Sequence, residues 1–380
     1  MKAFPLRRFL LAILLALLLI SCGSSGGGIG GSGVTSQGSI TGFGSIVVNG
    51  TEFDTTNATI IVEGEEAGVV DLHLGMVVTV YGTDGKSAVA NRVVYNDNVE
   101  GPVKNIVDNG TSKQFEILNQ TVIVNFITEF KGTDFNAIAE DDVVEVSGFV
   151  DDMGVIWATF LEKTDGLVFE VTGFVENLDT GSETFKINDL TVDYSAADTS
   201  GLPGGEPVEG LFVEVEGTLA AGDLRADVIE PGDELEVEDA GEIEVTGFVT
   251  EALAPNEFTV GNQVVHTDIN TVFVDGTPLD IAPGKKLEAE GRLIGGILFA
   301  WEIEFWEPDQ VEVEGEVTAI SSPTEFTVGT QDVRTIPGTT VYEDITPGEI
   351  VVGVNVEVKG VWEDISRNIL VADKVSLELD

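Results

Sequence analysis

The residues able to do chemistry are few in kind and one-sided in charge. The 380-residue chain holds one cysteine, Cys22, two histidines, His73 and His266, and 67 acids against 18 lysines and arginines. A zinc centre gathers three or four His and Cys side chains, so this inventory excludes one. His73 stands between Leu72 and Leu74 ahead of a strand, and His266 continues the alternating run Gln263-Val264-Val265; both read as structural residues, not as bases. Paired carboxylates run glycoside hydrolysis, but with so many acids, pairs arise by chance and carry no specificity. Calcium suits this chemistry better, because hard cations take carboxylate oxygens. The oxygen-rich stretches Asn96-Asp97-Asn98 and Asp233-Glu234 make Asp97, Asp233 and Glu234 candidate ligands for Ca2+, although no stretch matches an EF-hand loop and a solvated loop is the plainer reading. No other cofactor is expected. One dense aromatic cluster, Trp301, Phe305 and Trp306, is either a platform for a sugar or packing between neighbouring repeats, whereas Trp157 and Trp362 are isolated.

Cys22 has a different chemistry, and the residues before it say which. Lys2, Arg7 and Arg8 precede an apolar run from Phe9 to Ile20, the plan of a secretory leader, and the run is too short to span a bilayer comfortably. It ends in Leu19-Ile20-Ser21-Cys22, which resembles a bacterial lipobox with small Ser21 before the cut and Cys22 as the lipidated first residue. The expectation is a signal peptide over 1–21 and a membrane anchor through lipid, held durably because several acyl chains bind where one binds marginally. Gly23, and not Asp, follows Cys22, which favours outer-membrane sorting over inner-membrane retention in a host with two membranes. With a single cysteine there are no intramolecular disulfides, so the exported part must hold by core packing.

Loss of the leader removes three basic residues and no acid, taking the formal net charge from -49 to about -52. Such a chain repels nucleic-acid phosphates and suits cations, basic partners or saline surroundings; most of its carboxylates read as a solubilising coat. Residues 22–37 are almost entirely Gly and Ser and read as a flexible tether. The GxGxxG pattern Gly28 to Gly33 inside it neither follows a strand nor opens a helix, so it is an accident of composition.

Beyond the tether the chain repeats. An alternating strand ending in glycine occurs five times, at Val78–Gly82, Val144–Gly148, Val213–Gly217, Leu287–Gly291 and Val356–Gly360, with these anchor glycines 66, 69, 74 and 69 residues apart. Seven positions earlier stand Gly75, Asp141, Gly210, Gly284 and Gly353. Each copy is expected to open at Gly42-Phe43, Gly101-Pro102, Gly173-Phe174, Gly247-Phe248 or Gly315-Glu316. A hairpin follows, with turns at Asn49-Gly50, Asn119-Gln120, Asn188-Asp189, Gly261-Asn262 and Gly329-Thr330, residues that tolerate the positive φ of two-residue turns. A last strand carries Ala90, Ala158, Ala226, Ala300 or Ala372. About five strands in some 70 residues, with no helical period, predict an all-β fold of five tandem OB-like barrels. Module boundaries fall near 38–98, 99–166, 167–239, 240–309 and 310–380. A row of β-sandwiches is the runner-up, but such domains usually need more residues.

The segment from Gly38 to Thr55, GSITGFGSIVVNGTEFDT, and the segment Asp71 to Val78, DLHLGMVV, resemble two hallmarks of the bacterial family catalogued as domain of unknown function 5666. That resemblance implies tandem OB-like modules on exported, often lipid-anchored proteins and supplies no catalytic or ligand residues. The expected function is therefore a non-catalytic, lipid-anchored cell-envelope protein acting as a binding or spacer array for a protein, polysaccharide or cation partner, without nucleic acid. Copies sharing a core pattern but no polar constellation read as scaffold. The alternative is a carboxylate-dependent envelope hydrolase of glycans, with acids beside Trp301, Phe305 and Trp306.

Overall fold

The computed structural model describes residues 33–83, 88–232, 241–307, 310–363 and 367–377. The leader, the lipobox Leu19-Ile20-Ser21, Cys22, Asp233 and Glu234 lie outside them. The described chain is all-β, five tandem repeats whose only helical elements are two short 3-10 turns, Val69–Asp71 and Pro203–Gly205. Among the described residues no helix is long and apolar enough to cross a membrane.

Each repeat follows one plan, which repeat 4 illustrates. Its opening strand Glu242–Ala254 pairs with the hairpin Glu257–Val260/Gln263–His266; the second arm of the hairpin lies parallel to the closing strand Ile297–Trp306; the closing strand pairs with the anchor strand Lys286–Ile294, and that strand returns to the opening one. The pairings thus run in a closed circuit, and the same circuit holds in repeats 2 and 5. Alternation explains the core. In the third anchor strand, Phe212–Ala220, Val213 and Val215 are fully buried while Glu214 and Glu216 point the other way, as the two-residue period of a strand requires. The hairpin residues Ile46, Phe115, Phe185, Phe258 and Phe326 fill the five interiors.

The glycines at fixed spacing have two distinct physical causes. An added Cβ on anchor glycine 82, 148, 217, 291 or 360 would stand 2.1–2.4 Å from a carbonyl oxygen in the closing strand or, for Gly82, of Val89 just before it. Each sits where the pairing register shifts, a β-bulge that bends the strand and brings backbones close. The residue seven positions earlier has positive φ in all five repeats, Asp141 included at 68°, and gives its N–H to the carbonyl of Ile40, Val103, Val175, Val249 or Val317. Asp is tolerated in that conformation, so the second repeat manages without glycine.

Three expectations need correction. The opening glycine of the first repeat is Gly38, not Gly42: Gly38, Gly101, Gly173, Gly247 and Gly315 each lie opposite the residue four before the anchor glycine. Gly42-Phe43 instead leads into a turn, with Phe43 46% exposed. It follows that the residues expected to close the tether, Gly33 to Gln37, belong to the strand Gly33–Gly42. The turn of the second hairpin is Leu118-Asn119, both at positive φ, one residue ahead of Asn119-Gln120.

Nor do the repeats stand as five separate barrels. Val34–Gln37 lies parallel to Glu242–Val245, joining repeats 1 and 4 in a 13-stranded sheet, and Val99-Glu100 pairs with Val171-Glu170, joining repeats 2 and 3 in a 12-stranded one. The buried core of repeats 2 and 3 is one continuous cluster. Phe160 of repeat 2 is counted in the core of repeat 1, where it stacks on His73 at 5.7 Å. Full burial of one such side chain contributes about 1.5–3 kcal/mol, so these shared cores bind repeats 1, 2 and 3 together, whereas repeat 5 keeps its own six-stranded sheet and its own core.

Candidate functional site

The three aromatic candidates do not form one platform. Phe305 packs on the core of repeat 4. Trp306 lies beneath two ammonium groups, with Lys359 Nζ 4.3 Å and Lys286 Nζ 5.9 Å from its ring. Both rings line a half-open cleft of about 390 Å³ between repeats 4 and 5, with Asp275, Asp280 and Lys374. Trp301 stays apart, 37% exposed, because the bulge at Glu290/Gly291 pairs Glu302 and Ala300 but skips the residue between. In the cleft Asp275 is held by Lys374 at 2.8 Å, and the Thr277 hydroxyl and N–H keep the Asp280 carboxyl below its ordinary range. A glycosidase needs one acid whose pKa is raised, and Asp280 is arranged for the opposite. Of the histidines, His73 is lowered by burial and then by Lys131, and His266 lies 3.4 Å from Glu257.

Asp97, by contrast, is brought into company. The link Asn96-Asp97-Asn98 joins repeat 1 to repeat 2 and is pinned on both sides: Glu63 N–H donates to the Tyr95 carbonyl, and Thr172 N–H of repeat 3 donates to the Asn98 carbonyl. Asp97 N–H donates to Glu63 Oε1 at 3.0 Å. Glu63 occupies the turn between Thr59–Val62 and Glu65–Ala67, and Glu170 enters from the opening strand of repeat 3. One carboxylate oxygen from each of Glu63, Asp97 and Glu170 lies within 4.8 Å of the others. Asp97 is 4% exposed and its Oδ1 is buried without a hydrogen-bond partner. Its pKa is raised well above the ordinary range, by burial first and then by Glu170, Glu63, Glu145 and Glu100.

The register shows that this is one of three equivalent acid positions. Three residues before the opening glycine stand Glu170, Glu244 and Glu312 in repeats 3, 4 and 5. Opposite them on the anchor strand lie Glu216, Glu290 and Lys359, and two residues earlier on that strand Glu214, Glu288 and Glu357. The expectation that the copies share no polar constellation is therefore overturned for these three. In repeat 5 the answer to burial is a lysine: Lys359 Nζ contacts Glu304, Glu312 and Glu357. In repeat 4 it is hydroxyl donors: Ser36 Oγ of repeat 1 donates to Glu244 at 2.8 Å and Thr246 Oγ1 to Glu288 at 3.1 Å. Sequence reading found Asp97 from the oxygen-rich tripeptide but missed Glu63 and Glu170, which lie 34 residues before it and 73 after it. The spacing of 44–47 residues from opening to anchor glycine, uniform only when Gly38 is chosen, was the available signal.

Burial pushes Glu244 and Glu312 up to about 7 from 4.5, and the sign of the resulting pH dependence follows. The folded state binds more protons than the unfolded one between about pH 4.5 and 7, so this stabilisation is complete below that window and lost as pH rises through it. A shift of that size corresponds to roughly 3 kcal/mol per group. Asp54 and Asp179, lowered by neighbouring hydroxyl and backbone donors, act in the opposite sense, losing stability as pH falls below the carboxylate range. The chelator-treated chain is therefore expected to melt at a higher temperature at pH 5 than at pH 8. Equal melting temperatures at constant ionic strength would mean that both glutamates are hydrated.

The anchor bulges common to all the repeats and the sheets shared by repeats 1 and 4 and by repeats 2 and 3 define an all-β protein of five tandem repeats. The chain belongs to the family described as Domain of unknown function (DUF5666), which it matches five times, at residues 34–93, 100–162, 172–230, 246–304 and 314–376. No curated protein matches it. Among solved structures it is similar to one titled "drosophila Unr CSD456", at 12% identity over 56% of this chain and 98% of that one. The TM-score of 0.15 is too low for that likeness to carry any argument.

Proposed function

We propose that the chain is a non-catalytic cell-envelope protein, anchored by lipid on Cys22 and sorted to the outer membrane where there are two, whose repeats are OB-like barrels fused into a stiff acidic array that binds a protein, polysaccharide or cation partner. The observation that carries the array reading is the joining of repeats 1 to 4 by shared sheets and cores. The circuit of opening strand, hairpin, parallel closing strand and anchor strand is the order of an OB barrel and supports that description of repeats 2, 4 and 5. The charge of -49 argues against a nucleic-acid partner.

The anchor is tested by Cys22→Ala in the full chain, expressed in a bacterial host and fed radioactive palmitate. The expected result is loss of label and a shift from the membrane pellet to the soluble fraction. A variant that stays in the pellet would remove the lipid anchor from this reading. The array is tested by incubating the purified chain with envelope polysaccharide: co-sedimentation with unchanged polymer length supports it, and shortening of the polymer would replace it with the glycan hydrolase.

A further inference from the structure

Three equivalent acid positions stand at contacts between repeats, Glu170 buried and Glu244 and Glu312 half-buried, and the last two carry their own compensation. Lys359 compensates Glu312 with a positive charge, and Glu244 and Glu288 accept hydrogen bonds from the Ser36 and Thr246 hydroxyls. The cluster around Glu170 differs. Asp97 Oδ1 is buried, lacks a hydrogen-bond partner, and belongs to the carboxylate set shared with Glu63 and Glu170. An acceptor oxygen left unmet in the interior costs free energy unless something positive meets it.

We propose that Glu63, Asp97 and Glu170 bind one calcium ion, which clamps repeats 1, 2 and 3 together at the link between the first two. The dimensions suit that ion. Oxygens about 2.3–2.6 Å from one centre lie no more than about 5 Å apart, and these three lie within 4.8 Å. The ligand type is all oxygen, and two of the three ligands are buried, Asp97 4% and Glu170 2% exposed, with Glu63 half-buried beside them. Magnesium retains several waters and binds through one or two carboxylates, whereas calcium accepts a cage built by the protein. The surroundings are negative on several sides, with Glu145 and Glu100 also acting on Asp97, and Tyr95 Oη donating to Glu145 at 2.7 Å. The ligands come from a repeat 1 turn, the 1–2 link and a repeat 3 strand, so binding closes a loop of more than 100 residues. The inference is independent of the lipid anchor and of any envelope partner.

The test uses the full chain in detergent at pH 7.5, stripped with chelator and titrated with calcium chloride, magnesium chloride, or sodium chloride at matched ionic strength. Melting temperature is followed, together with terbium emission excited through tyrosine, since Tyr95 lies beside the site. The expected result is a saturable rise with calcium that neither magnesium nor sodium reproduces, and terbium emission that calcium displaces. Asp97→Asn should weaken calcium binding by at least about 100-fold, the upper range for loss of a supporting group around a metal. In chelator it should melt no lower than the stripped wild type, because it removes a repelled charge. Glu312→Gln, in the equivalent cluster of repeat 5, should keep the calcium response. No saturable rise, a rise matched by sodium chloride, or an unchanged response in Asp97→Asn would each overturn the proposal. Loss of lipid attachment in the Cys22→Ala test would leave it standing.

Discussion

Replacing Lys359 with methionine should cost the chain about 3–5 kcal/mol at pH 8, the usual penalty for leaving buried charges without their partner. The side chain of Lys359 is 4% exposed and contacts Glu304 of repeat 4 and Glu312 and Glu357 of repeat 5, with the ammonium 4.3 Å from the Trp306 ring. Burial alone would lower its pKa, but Glu304 and Glu312 override that and hold it charged. Methionine keeps most of the apolar stem and deletes only the charge, so packing changes little. The carboxylates left behind can relieve their repulsion by taking protons, which makes the loss smaller at pH 5 than at pH 8. Adding Glu312→Gln to Lys359→Met should restore much of the stability, since the pair is coupled and single effects do not add. Urea titrations of the four proteins at both pH values measure this. An equal loss at pH 5 and pH 8, with no recovery in the double variant, would assign the effect to packing alone.

The second large effect is expected at an anchor glycine. In Gly148→Ala the new methyl would stand 2.2 Å from the Trp157 carbonyl oxygen and 2.8 Å from the Ala158 Cα. Both neighbours are backbone in the central sheet of repeats 2 and 3, so neither can swing aside. The strand must separate or the bulge must open, and the cost is about 2–4 kcal/mol, at the upper end for overpacking. Gly148 does not have positive φ, so the penalty is steric and not conformational. Gly64 provides the contrast: its φ is 68° and nothing lies within 4 Å of an added Cβ. Gly64→Ala should therefore lose only about 1–2 kcal/mol, the cost of a left-handed alanine. Thermal melts of the two variants should rank accordingly. Equal losses would mean that the bulge yields.

How much of this was legible beforehand depends on the range of the interaction. The repeat length, the anchor glycines, the buried hairpin residues Phe115, Phe185 and Phe258 and the all-β character follow from local alternation and turn chemistry, which a strand expresses within a few residues. The glycines seven before the anchors were legible as positions, and the positive φ they adopt is the local reason for them. The opening of the first repeat was misplaced because Gly42-Phe43 imitates the Gly-Phe pairs of repeats 3 and 4, and only the pairing of Gly38 with Val78 corrects it.

The sequence by itself determined the membership of each strand's inner face, the repeat number and the excess of negative charge, since all three are properties of neighbours along the chain. It also held Asp97 as an isolated hint. Only the tertiary structure decided that repeat 1 lies beside repeat 4, that Trp306 is covered by a lysine while Trp301 is not, and that Glu63, Asp97 and Glu170 meet. The physical reason is that outward-facing glutamates obey the same two-residue period whether water or another repeat lies beyond them. Alternation fixes which way a side chain points; what it meets there depends on sheet edges joined across many intervening residues, as Val34 meets Glu242.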